Sequence, residues 1–250
     1  MQIVGYRTGP ERDPALVIAE EGTLRTEPLA PGTELAYSLG ARHCAGVTVD
    51  GTHHACDNAK APYCRLHTDM WPCAICTGNC SMPIDACHEE HAVYLAAFAP
   101  DVFKVGVTRS WRLDTRLREQ GADRAAHILT VSDGRIARRK EAEIAKRLVD
   151  RVRVPTKISG LHRGVDEHAW DALLTEFDVI EQFDFDYGFS LDSSPIAETL
   201  ATGTVVGTQG RVLVVRHAGS TYAVDLRGLV GYELADGATT KDVQSSLTAF

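Results

Sequence analysis

Residues 91–122 read HAVYLAAFAPDVFKVGVTRSWRLDTRLREQGA, and the order of elements in this stretch decides the fold expected from the sequence. Two apolar runs, HAVYLAAFA and VFKVGVT, are joined at Pro100 and Asp101, which predicts a β-hairpin closed by a short polar link. WRLDTRLREQG follows with Leu113 and Leu117 four residues apart, Asp114 and Arg118 as a surface pair, and Gly121 as a stop, so a short helix is expected. HILTV, from His127, is a third strand. From Gly134 the run RIARRKEAEIAKRLVDRV brings Ile136, Ile144, Leu148 and Val149 toward one stripe and predicts a longer amphipathic helix. The central region, assigned to 91–190, therefore reads ββαβα.

Outward from this centre the pattern changes. Residues 1–43 read as short strands and turns, because Pro10, Pro14, Pro28 and Pro31 exclude long helices. In VDEHAWDALLTEF, Trp170, Leu173, Leu174 and Phe177 fall at i, i+3, i+4 and i+7 and form a core stripe. From Thr202, TGTVVGTQGRVLVVRHAGSTYAVDL alternates and turns at glycines, which predicts a small antiparallel sheet or partly closed barrel over 196–236 that pairs with 1–43. The tail beyond Asp236 is expected to fray. The expected fold class is α+β: a central ββαβα domain, a cysteine-rich segment over 44–90, and a small β region built from both ends.

All seven cysteines lie between Cys44 and Cys87. With no secretory leader legible at the N-terminus, such bunching suits thiolate metal ligands better than a disulfide framework. Cys44, Cys56, Cys64 and His67 form one quartet, closed by a CxxH pair whose spacing lets one turn offer two ligands to a tetrahedral ion. Cys73, Cys76, Cys80 and Cys87 form a second quartet, opened by CxxC. His53, His54, His88 and His91 are near enough in sequence to replace a cysteine. Two structural zinc ions are expected; zinc is favoured over an iron–sulfur cluster at the second quartet because nothing else in the chain suggests electron transfer.

Charge is distributed unevenly. The net charge is −8, yet residues 104–153 hold fourteen Lys and Arg against seven Asp and Glu, a net +7 that leaves −15 for the remainder. A basic block in an acidic chain favours a local anionic partner such as the phosphate backbone of DNA or RNA, although a solvated helix face has the same composition. No apolar run is long enough for a membrane span, so neither a membrane partner nor membrane insertion is expected, and the cytoplasm is the expected location.

The hairpin resembles the GIY-YIG nuclease superfamily. Val93-Tyr94 stands where the first motif would fall, Lys104-Val105-Gly106 where the second would fall, Arg116-Leu117 matches the helix arginine, and Glu143 in KEAEIAKRL matches the helix glutamate. The longer string from His91 to Ala122, with cysteines before it, is similar to the DUF2797 family over most of the chain. The nuclease resemblance implies phosphodiester hydrolysis. Tyr94 would be the base or water-positioning group, Arg116 would hold the scissile phosphate, and Glu143 would hold Mg2+ or Mn2+. Gly106 would admit the backbone closely, and Lys104, in place of the motif tyrosine, would bind phosphate or act on Tyr94 by its charge. The first motif lacks its leading glycine. Binding of nucleic acid without turnover, and a zinc-stabilised protein-interaction domain, are the alternatives.

Overall fold

The computed structural model describes residues 1–10, 13–68, 76–80 and 84–239. The chain divides into two compact units, one formed by 1–69, 187–189 and 193–250 and the other by 70–186 and 190–192.

The first unit is a β structure. Its strands are β1 (Gln2–Arg7), β2 (Ala15–Glu20), β3 (Thr23–Pro28), β4 (Glu34–Arg42), the small hairpin β5 (Val47–Val49) and β6 (Thr52–His54), then β11 (Ile196–Ala197), β12 (Ala201–Gln209), β13 (Val212–His217), β14 (Ser220–Asp225) and β15 (Tyr232–Asp236). Nine of them form one sheet in the order β11-β14-β13-β12-β4-β15-β1-β2-β3, antiparallel except where β11 lies parallel to β14. Strand β4 carries the joint between the two ends of the chain: Ala201 to Thr204 of β12 pair with it on one side, and β15 pairs with it on the other and with β1. Ile3, Leu16 and Ile18 at one side of this order share a single core with Leu213, Val215, Tyr222 and Val224 at the other, so the sheet curls around one apolar interior.

The second unit is a four-stranded antiparallel sheet with helices on both faces. Its strands are β7 (His91–Phe98), β8 (Val102–Arg109), β9 (Arg124–Val131) and β10 (Glu181–Asp184), in the order β10-β9-β7-β8. The helices are α1 (Leu113–Gln120), α2 (Gly134–Ile144), α3 (Val154–Gly160) and α4 (Glu167–Leu174). Strand β7 is buried along nearly its whole length, which explains its continuous apolar run. Its alternation separates two cores. Val93, Leu95 and Ala97 pack with Ala137, Trp170 and Leu174, whereas Ala92, Tyr94, Ala96 and Phe98 pack with Leu113 and Leu117 of α1. Helix α1 ends where the chain enters the left-handed region at Gly121 (φ 68°), and α4 is capped by the Asp166 carboxylate, which accepts from the Ala169 N–H at 3.0 Å.

The expected α+β class with a GIY-YIG-like ββαβα centre is overturned. The protein is mainly β, and the large mixed sheet is its principal element. Two features of the sequence account for the error. The many short strands of the first unit alternate too briefly to signal one large sheet, so the sequence predicts only a small sheet or partly closed barrel. The basic run after Gly134 was read as one long helix, but α2 ends at Ile144; Ile136 is 39% exposed, Val149 is 50% exposed, and Val149 forms a parallel bridge with Lys104. The stripe of Ile136 and Val149 was therefore coincidental. Helix α3 and strand β10 have no counterpart in that reading.

Among the described residues no helix is long and apolar enough to cross a membrane.

Candidate metal centre and basic cluster

The chain leaves β4 at Arg42 and immediately supplies Cys44. Its backbone N–H donates to the Asn58 carbonyl at 2.8 Å, and Ala45 N–H to the Pro62 carbonyl at 2.9 Å, which folds the 56–64 loop back over the start of the segment. Gly46, at φ 68°, turns beneath the β5–β6 hairpin; a Cβ there would lie 2.0 Å from the His54 carbonyl oxygen, so only glycine fits. The tight turn after Cys64 is closed by His67 N–H and Thr68 N–H, both donating to the Cys64 carbonyl.

These constraints bring Cys44, Cys56, Cys64 and His67 together, with their ligand atoms all within 4.8 Å of one another. His67 Nδ1 lies 3.3 Å from Cys44 Sγ and 3.5 Å from Cys64 Sγ. A tetrahedral zinc with ordinary Zn–S and Zn–N bonds separates such atoms by about 3.6 Å. The donor set and its spacing fit one zinc ion. Four protein ligands leave no open position, so the ion would act as a structural staple. The surrounding backbone already favours thiolate: the Cys64 N–H donates to Cys44 Sγ at 3.2 Å, and although burial opposes it, N–H groups of Leu66 and His67 draw the Cys64 thiol below its ordinary value.

None of the histidines named as substitutes joins the quartet. His53 is buried with Nε2 against the Ala45 carbonyl at 2.8 Å, His54 is exposed, His88 Nδ1 faces Asp133 Oδ2 at 3.7 Å, and His91 Nδ1 faces the Glu89 carbonyl at 2.8 Å. Of the second quartet, Cys73 lies outside the described residues. Cys76 Sγ accepts from the Gly78 N–H at 3.3 Å, and Cys80 and Cys87 are both near enough to act electrostatically on Arg135 in the first turn of α2. Among the described residues, the only grouping with metal-ligand geometry is the first quartet, so the structure supports one zinc site where the sequence predicted two.

In the second unit, Tyr94, Lys104, Gly106 and Arg116 converge. Tyr94 and Gly106 are direct cross-strand partners, and the tyrosine ring lies over the glycine: a Cβ at Gly106 would stand 2.5 Å from Tyr94 Cζ and Oη. Lys104, opposite Ala96 on the same face, places Nζ 5.8 Å from the centroid of the Tyr94 ring. Gln120, at the end of α1, ties the pair together. Its Nε2 donates to the Tyr94 hydroxyl at 2.7 Å and its Oε1 accepts from Lys104 Nζ at 2.9 Å. Gln120 has no place in the motif reading; its position four residues after Arg116, on the same helical face, was the available signal.

The electrostatics follow from burial. Tyr94 is 1% exposed, and burial pushes its phenol above the ordinary value despite the Arg116 charge and the Gln120 hydrogen bond. Lys104 is 8% exposed, and burial, assisted by Arg116, lowers its ammonium to about 8 against the pull of Glu141 and Asp150. Among the described residues Lys104 makes no ion pair. Arg116 has a half-exposed side chain and reaches Glu119 at 3.4 Å.

Glu143 does not join this group. It is exposed and pairs with Lys140 at 3.2 Å. Glu141, two residues earlier and therefore about 200° around the helix, is the carboxylate that acts on Tyr94 and Lys104, and it is held by Arg138 at 2.7 Å. Among the described residues the carboxylates form no metal-ligand grouping at this cluster, and Glu141 is the carboxylate that acts on the buried ammonium. The divalent ion expected with Glu143 is a correction the geometry imposes.

The first unit thus presents a closed Cys3His centre, and the second a buried lysine with a tyrosine and an arginine. The DUF2797 family, described as a protein of unknown function, matches residues 50–234, and the chain belongs to that family. No curated protein and no solved structure gives a significant match.

Proposed function

We propose that this is a zinc-stapled nucleic-acid-binding protein that holds a backbone phosphate at Lys104 and Arg116. The observation that carries the reading is the state of Lys104: a buried ammonium whose hydrogen-bond partner is the neutral Gln120 amide, beside a half-exposed guanidinium. Burying a cation without a direct ion pair is costly, and an incoming phosphate oxygen would add a close negative charge, nearer than Glu141 and Asp150, where desolvation strengthens the attraction. The run 104–153, at net +7, supplies local positive charge around this cluster, within a unit whose residues 70–186 sum to −3. DNA and RNA offer the same phosphate chemistry.

The geometry favours binding over hydrolysis. A phenol that is buried, raised by burial and bonded to Gln120 is a poor base at neutral pH, and among the described residues the carboxylates form no metal-ligand grouping at this cluster. In this reading Tyr94 and Gln120 position Lys104 rather than perform chemistry.

Zinc at Cys44, Cys56, Cys64 and His67 holds the loop-rich segment of the first unit. Cys73, Cys76, Cys80 and Cys87 are proposed as ligands of a second zinc on their CxxC-led spacing alone. Elemental analysis distinguishes one zinc ion per chain from two.

The function is tested by fluorescence anisotropy with a labelled 15-base-pair duplex and its single strands across a salt series. The expected result is binding whose logarithm falls linearly with log salt, by about 0.9 per phosphate neutralised on the duplex, and about tenfold weaker binding in Lys104→Met. Salt-independent binding, or wild-type affinity in Lys104→Met, would refute the phosphate assignment.

A further inference from the structure

Trp111 stands out on the surface of the second unit. It is 67% exposed, yet it is held: its Nε1–H donates to Glu89 Oε2 at 2.9 Å, and the other oxygen of the same carboxylate accepts from Arg109 Nη1 at 3.0 Å. The Arg109 guanidinium lies 4.8 Å from the centroid of the indole, and that of Arg112 lies 5.9 Å from it. Glu89 thus clamps an aromatic plate and a cation in one arrangement.

Ordering a large exposed side chain sacrifices rotamer freedom, and an indole left two-thirds in water gains little from burial in return. The arrangement does make sense as a preorganised ligand platform. Arg109, Arg112 and Arg116 share two carboxylates, Glu89 and Glu119, which leaves one guanidinium in excess, and the indole, two-thirds exposed beside Arg109 and Arg112, suits a flat aromatic partner that carries negative charge. A phosphate backbone alone would use the arginines and ignore the ring. An unpaired nucleobase with its attached phosphates uses both, because every base has a face to stack and a charge to neutralise.

We infer that Trp111, with Arg109 and Arg112 beside it and Glu89 as its clamp, is a stacking platform for an unpaired base of a single-stranded nucleic acid. This rests on the phosphate-binding reading of Lys104 and Arg116 and adds to it a preference for unpaired strands. Trp111 lies in the turn that leads directly into α1, the helix bearing Arg116 and Gln120, so the platform and the phosphate cluster belong to the same unit. A base paired within a duplex has both faces stacked already and cannot use the platform without being extruded.

The test uses the full chain and two probes, a labelled 15-nucleotide thymidine strand and a blunt 15-base-pair duplex, read by anisotropy at fixed low salt. Trp111→Ala is expected to weaken binding of the strand about tenfold and to change duplex binding less than twofold, whereas Trp111→Phe retains most of the strand affinity. Glu89→Gln keeps the shape but loosens the clamp, and is expected to weaken strand binding less than Trp111→Ala does. Circular dichroism melting of each variant establishes that the exposed substitution leaves the fold intact. Equal losses on strand and duplex, or wild-type strand binding in Trp111→Ala, would overturn the platform while leaving the phosphate site standing. Failure of the wild-type protein to bind either probe would overturn both.

Discussion

The Cys44–His67 quartet and the Lys104 cluster are built on opposite principles. In the quartet the backbone does the positioning: carbonyls and N–H groups of the 44–68 loop set four soft donors at tetrahedral spacing, and the centre is complete once a zinc ion binds. In the Lys104 cluster the sheet and α1 hold an ammonium that makes no direct ion pair among the described residues, with Glu141 and Asp150 acting on it only from a distance, so a ligand from outside can still improve the arrangement. A satisfied centre stabilises the fold. An unsatisfied one costs stability, and such a cost is expected where a ligand is to be received.

The largest expected effect breaks the first half of this comparison. Chelating the metal, or the substitution Cys64→Ser, is expected to lower the melting temperature by on the order of 10 °C or more, because structural zinc contributes folding free energy directly. Thermal melts with and without chelator check this; an unchanged melt would mean that the quartet is not a staple.

The next effect concerns Lys104. Its ordinary value near 10.5 falls to about 8 in the folded chain, so between these values the unfolded state holds a proton that the folded state has lost. Stability therefore rises with pH across that window, by about 3 kcal/mol at most. Lys104→Met is expected to flatten the slope and to be more stable than wild type at pH 7, while losing nucleic-acid affinity. Denaturant titrations from pH 7 to 10.5 measure the slope.

Gly106→Ala places a methyl group against the Tyr94 ring and is expected to cost about 1–3 kcal/mol. The smallest effects separate two glutamates on α2. Glu143→Gln is expected to change stability by less than about 0.5 kcal/mol, since its exposed partner is Lys140; Glu141→Gln should lower the Lys104 value further, because it removes a charge that supports the ammonium. Equal behaviour of the two variants would contradict the helix register that separates them.

The difference between the two centres also explains how much could be read in the sequence. CxxH spacing is a local code, so Cys44, Cys56, Cys64 and His67 were legible as a set. Tyr94, Lys104 and Gly106 are picked out in the sequence by their resemblance to the nuclease motifs, and the β7–β8 register is what brings them to one face. Glu143, which the sequence also allowed to be a surface ion-pairing residue, is exposed and pairs with Lys140, and the two-residue step to Glu141 turns to nearly the opposite face of α2. Gln120 went unrecognised because its role depends on where α1 docks. The hairpin β7–β8, α1 and α4 follow from local pattern, whereas the nine-stranded sheet depends on pairings between residues as distant as Gln2 and Glu233, which no local period records. Trp111 carries no local signal as a platform, because its clamp, Glu89, is far from it in the chain.

The most direct test of the account is an NMR titration of Lys104, with 13C-labelled lysine and Lys104→Met for assignment, recorded alone and with the 15-nucleotide strand. The account predicts titration near 8 in the free protein and a rise of at least one unit on binding, as a phosphate oxygen supplies a close counter-charge. A Lys104 signal that titrates near the ordinary lysine value, or one that the strand leaves unmoved, would contradict it.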